Sequence, residues 1–137
     1  MRMVVRSTES KNEFPKNKPW DFRIQLPKWL NLTGKWKIEL VAFGVDRVVK
    51  DTFKNEIFVY SDICEMSLVG EKERPLLRRI YISETGNMIF EKSYEVPLRN
   101  QSFGYLHFEI MDKNQKPANF LFNESVVSLV FTRISND

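Results

Sequence analysis

The chain of 137 residues holds one cysteine, Cys64, and one histidine, His107. A lone cysteine excludes an internal disulfide. A zinc site draws its three or four ligands mainly from His and Cys, and with one of each no zinc site is expected even when carboxylates are added. A Ser-His-Asp or Cys-His arrangement would need remote partners to converge on His107, and no pattern in the sequence points to them. Phosphate-binding glycine loops and dinucleotide fingerprints are missing. Asp62, Glu65, Glu71 and Glu73 cluster in sequence but lack the closely spaced Asp/Asn-Gly pattern of a calcium loop. Five Gly and six Pro are too few for a fibrous or disordered chain. No stretch approaches the roughly 20 apolar residues that span a bilayer. Met1–Ser7 carries no apolar core of signal-peptide length, so synthesis in the cytosol is expected. No cofactor, no metal and no catalytic residue are expected.

Aromatic residues are plentiful: eleven Phe, four Tyr and three Trp. They favour sheets. With 42% apolar residues, the length suits one domain with one core, here residues 1–137. Net charge is +3, unevenly spread. Residues 1–50 hold 11 Lys/Arg against 5 Asp/Glu, and the remainder holds 10 against 13. The basic residues are scattered, with no run of four, so nucleic-acid binding is not expected.

Alternation of period two marks strands with one buried face. Phe22, Ile24 and Leu26 alternate with Asp21, Arg23 and Gln25, and Pro27 is expected to close that strand. Trp36, Ile38 and Leu40 alternate with Lys35, Lys37 and Glu39 in a strand over Trp36–Phe43. Leu106, Phe108 and Ile110 do so within Gly104–Met111. In Ser125–Ile134, Val127, Leu129 and Phe131 face one way and Val126, Ser128 and Val130 the other. Both faces are largely apolar, which predicts a central strand. The run from Ile57 is expected to continue through Ile63, Met66 and Leu68 to Gly70, and 71–75 to form a charged turn. Leu76–Ile82, Met88–Phe90 and Tyr94–Leu98 complete about eight strands, with a hairpin turn at Thr85–Asn87. Residues 44–56 fit a short helix or a loop, since Val45, Val48, Val49 and Phe53 have near-helical spacing. Residues 1–20 read as a partly extended segment and a polar, proline-punctuated loop. The fold class is therefore an all-β, single-domain β-sandwich, jelly-roll-like. An immunoglobulin-like sandwich and a closed lipocalin-type barrel are its competitors.

Four side chains are candidate interface residues. Arg78 and Arg79 point to opposite faces of one strand, so one of them faces inward and needs a partner, for which Asp62 is the candidate. Alternatively, both guard an edge strand against aggregation. Trp20 and Trp29 flank a strand within proline-marked turns, where they cover the sandwich end or face a partner. His107 is expected on a polar face, and Cys64 as a small buried hydrophobe.

Three ordered groups of residues carry a family resemblance. The first is Phe14, Pro15, Asn17, Phe22, Leu26, Leu32, Gly34, Trp36 and Leu40. The second runs from Phe58 to Glu65, then Val69, Gly70 and Pro75 to Arg78. The third joins Tyr94, Pro97 and Leu98 to Phe108–Asp112 and Val126–Arg133. Together they resemble proteins of Polinton (Maverick) elements and the related adintoviruses. That resemblance implies a structural protein of a DNA virus or mobile element: a minor capsid, penton-like single jelly roll located in the virion. It implies a homo-oligomer, a ring of five being favoured, with other capsid proteins as partners and no membrane. The alternative is an endogenised or accessory jelly-roll module that binds a glycan or protein ligand.

Overall fold

The computed structural model describes residues 1–48, 56–82 and 86–135, and only the backbone at 46–48 and 122. Its elements are β1 (Arg2–Arg6), β2 (Asp21–Asn31), β3 (Lys35–Val48), β4 (Glu56–Ser61), β5 (Ser67–Val69), β6 (Lys72–Arg74), β7 (Leu76–Tyr81), β8 (Asn87–Ile89), β9 (Glu95–Pro97), β10 (Ser102–Asp112) and β11 (Leu121–Ser135). Among the described residues there is no helix. The first sheet has the order β1-β11-β3-β8, with β9 also on β3; the second is β2-β10-β4-β7. β5 and β6 form a separate hairpin.

All pairings are antiparallel, and they nest: β1 with β11, β2 with β10, β3 with β8 and β9, β4 with β7. Nested pairing of this kind is a long ribbon wrapped into two sheets, the jelly roll. The faces that meet carry one core, with Phe22, Ile24, Leu106, Phe108 and Ile110 from the second sheet and Ile38, Leu40, Val127, Leu129 and Phe131 from the first. Phe103 reaches Phe131 across the sheets, with ring centroids 6.3 Å apart. β11 is interior to its sheet, as its two apolar faces predict.

Several local expectations are corrected. β2 does not stop at Pro27. It runs on to Asn31 by slipping register: Gln25 faces Tyr105 and Leu30 faces Phe103, so residues 26–29 bulge opposite Gly104. β2 has only one neighbour, so a proline without an N–H costs no ladder bond there. β3 continues to Val48 and β4 opens at Glu56, so 44–48 and 56 are strand rather than helix or loop, while 49–55, with Val49 and Phe53, lie outside the described residues. β4 ends at Ser61, where Cys64 N–H donates to the Ser61 carbonyl at 3.1 Å and turns the chain. The charged segment after Gly70 is β6 rather than a turn. β7 and β8 lie in different sheets and do not pair with each other as a hairpin; Thr85 lies outside the described residues. Trp36 is half-buried, because its indole Nε1 reaches the Thr33 carbonyl at 2.7 Å at the rim of the core. β1, too short to stand out in sequence, adds Val5 to the core.

Candidate functional site

A jelly roll has open sheet edges, so any assembly surface depends on which edges the chain itself covers. The edge at β2 is covered by residues 9–20. Asn17 is buried; its Oδ1 accepts from Arg23 N–H at 2.8 Å, and its Nδ2 donates to the Arg23 carbonyl at 2.7 Å. Ser10 Oγ accepts from Gln25 N–H at 2.9 Å. Lys18 and Asp21 exchange backbone bonds of 2.9 and 3.1 Å. Side chains thus stand in for a neighbouring strand. Asn17→Ala is expected to cost about 1–2 kcal/mol, because the part-buried backbone N–H and carbonyl of Arg23 both lose their side-chain partner. Limited proteolysis checks it: cleavage within 9–20 rises several-fold, and an unchanged pattern contradicts the role.

Residues of the second and third resembling groups build joints between the sheets. After β4, the Asp62 carboxylate accepts from His107 N–H of β10 at 3.1 Å within the second sheet, and its carbonyl accepts from Arg99 Nη2, just after β9 of the first sheet, at 2.6 Å. Arg99 N–H donates to the Ile63 carbonyl at 2.8 Å, and Glu65 N–H to the Pro97 carbonyl at 3.0 Å. Asp62 is therefore not the partner of Arg78. Arg78 is the inward arginine, and carbonyls and rings satisfy it instead. Nη2 donates to the Lys92 carbonyl at 2.8 Å and Nη1 to that of Leu40 at 3.4 Å. The guanidinium lies 4.1 Å from the Phe90 centroid and 6.0 Å from that of Tyr94. Burial pulls its pKa down, against the nearby charges of Glu39 and Tyr94. Arg78 thereby fastens the connection between β8 and β9 to the opposite sheet. Arg79 faces solvent, where it pairs with Glu56 and the Tyr81 hydroxyl, and the Glu56 bond pushes its pKa up.

Cys64 is buried at this joint, and desolvation first, then the Asp62 charge, pushes its thiol from 9.0 up to about 12. The raised pKa means that the folded state holds the proton longer than the unfolded chain. Its contribution to stability is complete below pH 9.0 and is lost as pH rises towards about 12. In the native chain at pH 8 a disulfide reagent is expected to label Cys64 only at the rate of unfolding; immediate labelling would contradict this burial.

His107 lies on the outer face, with Nε2 2.7 Å from Asp21 Oδ1 and Nδ1 3.9 Å from Glu109. Among the described residues no group of three or more His, Cys, Asp or Glu could hold a metal ion. Trp20 is half-buried against the core, with Lys18 Nζ 5.6 Å from its ring centroid. Trp29 is 62% exposed and lies over Gly104, where an added Cβ would sit 2.5 Å from the indole. Its Nε1 donates to Ser102 Oγ at 2.7 Å. The four candidates therefore do not form one patch. Trp29 and Arg79 face outward, whereas Trp20 and Arg78 are engaged within the fold. Sequence alone did not reveal two further exposed apolar side chains at opposite edges of the first sheet, Val4 and Ile89. Compared with family models, curated proteins and solved structures, the chain matches none.

Proposed function

We propose that the chain is a structural protein of a Polinton/adintovirus-like DNA virus or mobile element, a minor capsid protein of penton type. The observation that carries this reading is the nested jelly-roll pairing, taken with the resembling residues. Asn17, Gly34, Asp62 and Arg78 lie at its turns, edge seal and joints, so the resemblance coincides with what this wrapping needs. The role is non-enzymatic and takes no cofactor. The chain works as a homo-oligomer, a ring of five, among other capsid proteins in the virion.

Mass spectrometry of gradient-purified particles tests the reading. The chain is expected to co-migrate with the major capsid protein in a fixed minor ratio. Its absence from particles made by cells that express it would overturn the assignment. A second reading, a glycan-binding accessory module, is favoured by the exposed Trp29 ring, since sugars stack on such faces. A glycan-dependent rise in melting temperature that disappears in Trp29→Ala would support that reading instead.

A further inference from the structure

We infer that the first sheet joins edge to edge with a second copy of this chain, β1 of one copy lying antiparallel to β8 of the next. The inference rests on the structural-protein reading above and names its contact.

Hydrogen-bond parity identifies the open groups. Phe131 N–H donates to the Met1 carbonyl at 2.8 Å and Ser7 N–H to the Ser125 carbonyl at 2.9 Å. Odd-numbered residues of β1 therefore bond to β11, and Arg2, Val4 and Arg6 point their backbone groups away. Arg6 is closed off by Glu9, which accepts from its N–H at 2.6 Å and donates to its carbonyl at 3.0 Å. Among the described residues, the outward backbone groups of Arg2 and Val4 have no partner. On β8, Phe90 N–H donates to the Val41 carbonyl at 3.1 Å and Val45 N–H to that of Gly86 at 2.8 Å. Even-numbered residues thus face β3, and Ile89 faces outward. The edge at β2, by contrast, is sealed by Asn17 and Ser10.

The two open edges are complementary in three ways. Val4, Ser128, Ala42 and Ile89 lie in one row across the sheet. Val4 (58% exposed) and Ile89 (86% exposed) are therefore on the same face at the same level, one at each edge. Strand direction alternates from β1 through β11 and β3 to β8. A copy rotated about an axis along the strands thus offers its β1 antiparallel to β8, and the alternation continues. Finally, placing Val4 opposite Ile89 brings Arg2 opposite Glu91, just beyond β8, and Arg6 opposite Asn87. The apolar pair is then followed by an ion pair of opposite sign.

This contact is heterologous, of the kind that builds a ring where the rotation between copies closes and a filament where it does not. Two residue pairs bury less than the roughly 1,000 Å² of a stable interface, so association is weak and concentration-dependent. Directly opposed, hydrogen-bonded residues have Cα atoms about 5.5 Å apart, within disulfide range.

Full-length Val4→Cys and Ile89→Cys variants test the contact, singly and mixed, in a glutathione redox buffer. A disulfide-linked dimer is expected in the mixture, formed about tenfold faster than with either variant alone. Arg2→Glu or Glu91→Arg should slow it at low salt, and combining the two should restore it. Equal linkage within a single variant would overturn the head-to-tail arrangement. Light-scattering oligomers without the mixed disulfide would overturn the contact and leave the capsid reading standing. A specific mixed disulfide in a chain absent from particles would uphold the contact and remove the capsid reading. A monomer at millimolar concentration without the disulfide would overturn the inference.

Discussion

Replacing Phe108 with Ala is expected to lower stability by about 3–5 kcal/mol. Phe108 is fully buried in the middle of β10, between Phe22 of β2 and Ser61 of β4 in register. Its ring stacks on Phe22 at 5.3 Å between centroids. The loss combines the transfer of a large apolar side chain with the cavity left in a sandwich whose backbone is held on both sides and cannot collapse into it. Domains of this size have only about 5–15 kcal/mol in total, so the variant lies close to its unfolding threshold. Urea unfolding measures the effect: the midpoint falls while the slope is unchanged. Phe108→Leu, which keeps much of the volume, should cost less than about 1.5 kcal/mol. A midpoint in the alanine variant within error of the parent would contradict a single core shared by both sheets.

The parts of this fold that the sequence exposes are those in which one strand buries one face. Ile38 and Leu40, Leu106, Phe108 and Ile110, and Val127, Leu129 and Phe131 are all buried where their alternation predicts. Alternation says nothing about which strands pair. β1 with β11 and β2 with β10 are contacts between distant parts of the chain, and no local spacing encodes them; the jelly-roll expectation drew on the resemblance as well. Pro27 misled because proline usually ends a strand, whereas β2 is an edge that tolerates one in a bulge. β5 and β6 have three residues each and lie outside the core, so β5 merged with the apolar run from Ile57 and the charged β6 left no apolar period.

The candidate site was legible to a similar depth. The opposite orientations of Arg78 and Arg79 followed from strand geometry. That carbonyls and aromatic faces would satisfy Arg78 did not, because its partners come from β3 and from the β8–β9 connection. Asn17 stood out only as part of a resembling phrase; its role depends on β2 being an edge. The pairing of Val4 with Ile89 needs the row across three strand pairs, and no single strand contains it.

Gly34→Ala is expected to cost about 2–5 kcal/mol, and the reasons can be separated by comparison with Gly70. Gly34 lies in the short turn between β2 and β3 at φ +87°. A side chain in that left-handed region costs about 1–2 kcal/mol in itself. An alanine Cβ there would also sit 2.2 Å from the Ser135 carbonyl oxygen and 3.0 Å from Arg133 Nε. The arginine can swing away. The carbonyl belongs to β11, which pairs with β3 at Lys35, so the turn or the strand pair must shift, at about 1–3 kcal/mol. Gly70, in the β5–β6 hairpin, has φ +62° and nothing within 4 Å of an added Cβ. Gly70→Ala therefore carries only the backbone cost. Asparagine tolerates the left-handed region, so Gly70→Asn should be nearly neutral while Gly34→Asn still suffers the clash. Thermal melts of the four variants give the test: both Gly34 variants fall well below both Gly70 variants. Equal losses in Gly34→Ala and Gly70→Ala would mean that β11 does not close over this turn.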